Sequence, residues 1–384
     1  MKRWRKLFVL LEATAILFLF SGCWNYKEIE KNTIVAGVAI DPGTGGYKYH
    51  VTYEVLSLTG GKDQTIKSAL LESDGNSIFD AVRQTVAMAD KKLYFSDCKI
   101  VIVSKEIAKE GIEPLLDFFL RDHEPRISLL FAVSDENTAA EILNIQLKTG
   151  EPVSYKISSM MEQSKDVLGH VLPYPLYQIY NVFTSKNQEL TLPDIRIVKV
   201  FENEEPKLGT NVIFRQDKMI GIMPEDECLY YLMLKNKLKS GILLTGIPPS
   251  QKNIALEIMK CSTKMESVVS GSHVTMKIQI NIDANLAEEN SQKENYTVGN
   301  GEFKDIEKAA SKMVQEQTES VIGDIQKNYG TDIFGFGSEI HQDRYDDWMR
   351  MESNWDKIFP TVKCEVSADV KLLNSSTALV KGGS

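Results

Sequence analysis

The sequence predicts a three-domain body of mixed α/β and α+β class, its C-terminal domain an antiparallel sheet packed with long helices. Three observations carry that expectation. Strand-like apolar runs alternate with helix-periodic segments through the first half. Near the C-terminus, two long runs alternate strictly between apolar and polar residues, and a long amphipathic stretch lies between them. The chain has 384 residues, 43% hydrophobic and 25% charged, so it is globular in composition and too long for one ordinary domain.

The N-terminus reads as a removable leader, residues 1–22. Lys2, Arg3, Arg5 and Lys6 form a basic start, and Leu7 to Phe20 an apolar run. As a helix that run is about 21 Å long at ~1.5 Å per residue. It falls short of a hydrocarbon core ~30 Å thick, and Glu12 interrupts it. Ser21 and Gly22 then precede Cys23, the pattern of a lipobox, although Phe20 stands where Leu is usual. Diacylglyceryl transfer to the Cys23 sulfur would put two acyl chains on one residue, and two chains give stable anchoring where one is marginal. No cofactor is expected beyond this covalent lipid. The net charge is −9, and loss of the basic leader leaves the body more acidic still. Broad electrostatic binding of nucleic acid or anionic headgroups is thereby disfavoured.

Residues 23–193 read as a mixed α/β domain. Thr33 to Asp41 is an apolar strand, and Asp41 to Gly46 a turn. Tyr49, Val51, Tyr53 and Val55 alternate with polar neighbours, completing a hairpin. Helices are expected at 77–90, 113–120, 137–145 and 160–168, with buried strands at 99–103 and 127–133. Leu172 to Tyr177, with two prolines, reads as extended. Residues 194–249 read as a small β-rich middle domain with strands at 195–201, 209–215 and 218–222. Pro248-Pro249-Ser250 is the expected linker to a C-terminal α+β domain, 250–384. There Val274 to Ile282 and Val362 to Leu372 alternate as half-buried strands, and Phe303, Ile306, Ala310, Met313, Val321 and Ile325 share one face of a helix over 303–327.

No catalytic constellation stands out. The five histidines are dispersed, and there is no HExxH, GxSxG or Walker loop. Cys98, Cys228, Cys261 and Cys364 make no CxxC pair or metal-ligand spacing. Asp332-Ile333-Phe334-Gly335-Phe336-Gly337 lacks the preceding strand and following Lys-Ser/Thr of a phosphate loop. Aromatic side chains wedged between helix and sheet are the simpler reading. Trp348 and Trp355 fall on one helix face. Buried packing is the plainer role for them, and partner docking together with Asp346 and Asp347 the functional one. The acidic run from Asp343 to Asp356 lacks the spacing and glycine of an EF-hand loop.

These residues resemble a family. Gly22-Cys23-Trp24-Asn25-Tyr26-Lys27-Glu28-Ile29 with the strand after it, Arg121-Asp122-His123-Glu124-Pro125-Arg126, and Asp332 to Gly337 followed by Trp348 and Asn354-Trp355-Asp356-Lys357-Ile358-Phe359-Pro360 are similar to the Ger(x)C lipoproteins. These are C subunits of bacterial spore germinant receptors. Asn25 stands where the family commonly has Asp, and no proline shortly precedes Trp348. The resemblance implies a non-enzymatic, lipid-anchored subunit on the outer face of the inner spore membrane. It would work there with two polytopic membrane subunits to answer nutrients. The competing class is an extracytoplasmic solute-binding lipoprotein of a transporter, which needs two similar parallel α/β lobes.

Overall fold

The computed structural model describes residues 3–5, 32–59, 65–88, 91–247, 252–271, 273–290 and 300–375. Cys23 and most of the leader lie outside the described residues. The expected hairpin is β1 (Asn32–Pro42) against β2 (Tyr49–Thr59), and β3 (Thr65–Gly75) adds a third antiparallel strand. Helix α1 (Ile78–Met88) packs on β3 and leads to the short β4 (Lys92–Tyr94), parallel to the start of β1. Next come β5 (Ile100–Val103), α2 (Lys105–Glu110), α3 (Glu113–Arg121) and β6 (Leu130–Ser134). Both strands run parallel to β1, as strands joined through helices do. Helices α4 (Ala140–Leu143), α5 (Val153–Gln163) and α6 (Leu176–Ser185) follow. The extended reading of 172–177 therefore stops at Pro175, where α6 begins.

Strand β7 (Thr191–Val200) pairs parallel to β6, and β8 (Asn203–Arg215) and β9 (Lys218–Ile222) continue antiparallel. The result is one nine-stranded sheet ordered β3-β2-β1-β5-β6-β7-β8-β9, with β4 beside β1. The strands expected for a middle unit at 194–249 are thus divided. Pairing of Val133 with Asp194 draws β7–β9 into the first sheet, while β10 (Gly241–Ile247) opens the second. Helix α7 (Cys228–Leu234) lies between.

The second sheet has four strands, β10, β11 (Lys252–Ser270), β12 (His273–Asn290) and β13 (Lys363–Ser375). Its first three strands are antiparallel, as expected, but β13 lies parallel to β12. The cause is the intervening chain: α8 (Asn300–Asp324), α9 (Phe336–Asp343), α10 (Tyr345–Met351) and α11 (Trp355–Ile358) carry it back to the end where β12 began. Helix α8 packs on β13 and on β10.

One contiguous core runs through both sheets, from Val101 and Phe131 through Phe214 and Tyr231 to Ile278 and Phe336. A second cluster, with Ile100, Ile102, Ile142, Ile157 and Met161, covers the other face of the larger sheet. That sheet is buried on both faces at its centre, which is why β1, β5 and β6 read as unbroken apolar runs. Two buried carboxylates on it hold helix starts. Glu54 accepts from the Val153 and Ser154 amides at 2.8 and 2.9 Å. Asp41 accepts from Ala139 and Ala140 at 2.6 and 3.0 Å. Such amides are unpaired within the helix and favour a negative group.

Replacement of Glu54 by Ala leaves two buried amides without acceptors, and about 2–4 kcal/mol of stability should be lost. Glu54→Gln should lose less, because one oxygen remains. Urea denaturation followed by circular dichroism measures both.

A candidate functional site at the buried aspartate between the sheets

The residues from Asp332 to Pro360 form a compact joint. Asp332 is 3% exposed and follows the wide helical turn Ile325–Tyr329 that extends α8. Its Oδ1 accepts from the amides of Gly335 and Phe336, at 2.8 and 3.1 Å. Its Oδ2 accepts from the Gly337 amide at 2.7 Å and from the Trp355 indole Nε1 at 3.0 Å. Burial pushes this carboxyl's pKa up, and the three backbone amides pull it back. The chain can fold around one carboxylate because Gly335 takes φ 87°, a left-handed value costly for other residues. At Gly337 a Cβ would meet the Asn187 carbonyl at 2.6 Å and the Trp348 ring at 2.8 Å.

The aromatic residues pack inward around this turn. Phe334, Phe336 and Phe359 form a triangle with centroids 5.4 to 6.3 Å apart. Trp348 and Trp355 meet edge to face at 5.4 Å. This is the wedge expected of the DIFGFG stretch, set between sheets rather than between one helix and one sheet. Polar contacts fix it to the larger sheet. The Glu189 amide donates to the Asp332 carbonyl at 2.8 Å, and Ser338 Oγ to Asn187 Oδ1 at 2.8 Å. Tyr329 Oη donates to Ile222 O at 3.2 Å, and the Arg215 guanidinium to the Tyr329 carbonyl. Arg344 Nε reaches Ser267 O of β11 at 3.0 Å and fixes the same segment to the smaller sheet.

A polar groove of about 620 Å³ opens beside the joint, lined by Lys186, Glu189, Gln216, Asp217, Glu352, Trp355 and Asp356 among others. Glu189 accepts from the Gln216 amide at 2.6 Å. Burial pushes its pKa up to about 7, the Gln216 bond opposes that, and the negative Asp356 and Asp332 add to it. Among the described residues no His, Cys, Asp or Glu group is arranged to hold a metal ion. Burial pushes the thiols of Cys98, Cys261 and Cys364 up to about 12, so they stay protonated and poor as nucleophiles.

The four docking candidates separate. Trp348 and Trp355 are 1% and 5% exposed, so a docking role for their indoles is corrected to a packing one. The Trp355 N–H is already given to Asp332. Asp347 pairs with Arg350 and, at 3.9 Å, with Arg344. Asp346 is exposed. The 121–126 stretch has its own structural role: Glu124 accepts from Lys92 Nζ at 2.7 Å, and Arg126 Nε donates to Ser96 O at 2.8 Å. Glu189, Asn187 and Tyr329 carry no sequence signal of their importance. Asp332 stands out only as part of the DIFGFG stretch, because it lies three residues before the N-cap Gly335 and so outside the usual capping position.

Two family models match the chain. Residues 25–197 match the spore germination protein N-terminal domain, and residues 209–376 the spore germination B3/GerAC-like C-terminal region. Spore germination protein B3 of Bacillus subtilis (strain 168) is 23% identical, over 94% of this chain and 96% of that protein. Spore germination protein KC of the same organism is 21% identical, over 92% and 93%. The crystal structure of the GerBC protein superposes with a TM-score of 0.60 at 18% identity, covering 88% of this chain and 97% of that one.

Asp332→Asn turns an acceptor into an N–H facing other N–H groups, and should cost about 2–4 kcal/mol in urea denaturation. Trp355→Phe, which loses one bond to the aspartate and some packing, should cost about 1–3 kcal/mol. The raised Glu189 carboxyl contributes stability that is full below its ordinary value near 4.5 and is lost as pH rises through about 7. Asp194 and Glu227, raised by burial to about 6 and about 7, act in the same direction. Glu189→Gln should therefore flatten, without abolishing, the fall in unfolding midpoint between pH 4.5 and 7, by roughly 1–2 kcal/mol.

Proposed function

Because the chain belongs to the Ger(x)C family of spore germination proteins, we propose that it is the lipid-anchored subunit of a nutrient germinant receptor. It is held by a diacylglyceryl group on Cys23 at the outer face of the inner spore membrane. It acts by assembly with two polytopic membrane subunits rather than by catalysis. The observation that carries this reading is that the two family models cover residues 25–197 and 209–376 in order, directly after the lipobox.

The geometry supports an assembly role. The residues that mark the family, Asp332 to Gly337, Trp348 and Trp355, point inward and join two sheets. They shape a rigid body, and recognition is left to its outer faces. Among the described residues no helix is long and apolar enough to cross a membrane. The solute-binding alternative needs two similar parallel lobes, whereas the described residues form one sheet of nine strands and one of four.

Deletion of the gene should abolish or slow dipicolinic acid release from purified spores given the cognate nutrient. The wild-type gene should restore release, and Cys23→Ala should restore it poorly. Loss of uptake of one solute by growing cells, with germination unchanged, would instead favour the transporter class.

A further inference from the structure

We propose that the end of the nine-stranded sheet at which β1 begins rests on the bilayer surface through Ile127, Leu120, Tyr177 and Tyr180, and that this contact orients the whole body. The inference rests on the Cys23 anchor proposed above. Between Cys23 and Asn32 the extended chain spans at most about 30 Å at ~3.3–3.6 Å per residue. Whatever else the body does, Asn32 stays within that distance of the lipid.

Strands β1, β4, β5, β6 and β7 run in one direction, so their starts share one end of the sheet. Asn32 pairs with Lys92 there, and Lys92 holds Glu124 of the loop that leads into β6. Ile127 in that loop is 67% exposed. The Tyr177 amide donates to the Ile127 carbonyl at 3.2 Å, so α6 starts beside it. Tyr177 and Tyr180 are exposed and lie one turn apart on the same helix face. Leu120 is exposed near the end of α3, which packs on α6.

The chemistry of this surface suits a lipid interface. Tyrosine rings sit well at headgroup level, with an apolar body and a polar tip. Two aliphatic side chains add shallow insertion. Two cations at this end are already paired, Arg121 with Asp117 at 2.5 Å and Lys92 with Glu124 at 2.7 Å, while the exposed Arg126 beside Ile127 bonds the Ser96 carbonyl and keeps its charge for a headgroup phosphate. So small a patch would not hold the protein alone. With two acyl chains already in the membrane, it needs only to select one orientation.

The opposite end carries the contrasting feature. The β7–β8 hairpin turns at Phe201, which is 97% exposed. The ladder places Ile40, Val103, Val133 and Asp194 side by side. Counting along it puts the hairpin tip on the order of 45 Å from Asn32 at ~3.3 Å per residue. With the Asn32 end down, this tip stands away from the lipid.

The test compares amide hydrogen exchange of the full chain, lipidated in vivo and bound to phosphatidylcholine vesicles, with that of the Cys23→Ala chain in solution. Flotation reads the anchor separately. Segments 120–127 and 176–181 should exchange several-fold more slowly on vesicles, and segment 199–203 should not change. Ile127→Asp combined with Tyr177→Ser should still float yet lose the slowing. A floating chain without that slowing, or with slowing at 199–203 instead, overturns the orientation alone. Slowing seen only in native spore membranes assigns the patch to a protein partner, and slowing that rises with protein concentration without vesicles assigns it to a second copy. Either result overturns the proposal. A wild-type chain that fails to float overturns the anchor, and the orientation with it.

Discussion

A carboxylate removed from water is tolerated only when its oxygens are supplied with donors, and Asp332 is such a group. Three successive amides and one indole N–H converge on it, so the backbone from 335 to 337 and the Trp355 ring have little freedom. The rest of the joint follows from that requirement. Gly335 must turn left-handed, Gly337 must leave room for Trp348, and the phenylalanines must fill the space between the sheets. Removal of any one donor leaves a buried charge less well supplied, which binds these residues into one structural unit.

The joint also explains why two unlike sheets share one core. The segment that returns the chain from α8 to β13 passes the ends of β8 and β9, and bonds to Ile222, Glu189 and Asn187 on the way. It then delivers β13 parallel to β12. Glu189 lies at the rim of the groove beside the joint, where burial pushes its carboxyl up to about 7.

Much of the architecture was legible where periodicity was strong. The long helix and the strands β12 and β13 each show one clean face, and the β1–β2 hairpin shows as an apolar run beside an alternating one, although Thr52 and Glu54 bury its second face as well. Legibility failed for physical reasons. Strand β11 has an irregularity between Ile258 and Lys260 that shifts the alternation begun by Ile254, Leu256 and Ile258, and beyond it the inward positions include Thr263 and Ser267. Strand β3 lies at the sheet edge and is largely polar. Helix α6 hides behind two prolines, with Pro175 as its N-cap. The parallel placement of β13 cannot be read from alternation, which is the same for either direction. At the site, Trp348 and Trp355 were legible as packing residues, while the partners of Asp332 come together only through the tertiary fold.

The most direct test of the joint is the exchange rate of the Trp355 indole proton, followed by nuclear magnetic resonance in deuterated water. If that N–H is held by Asp332 inside the shared core, it should exchange as slowly as the amides of the central strands, such as Val101 and Ile278. Exchange at the rate of exposed loop amides would mean that the joint opens on its own, and the two sheets would then not be held together through Asp332.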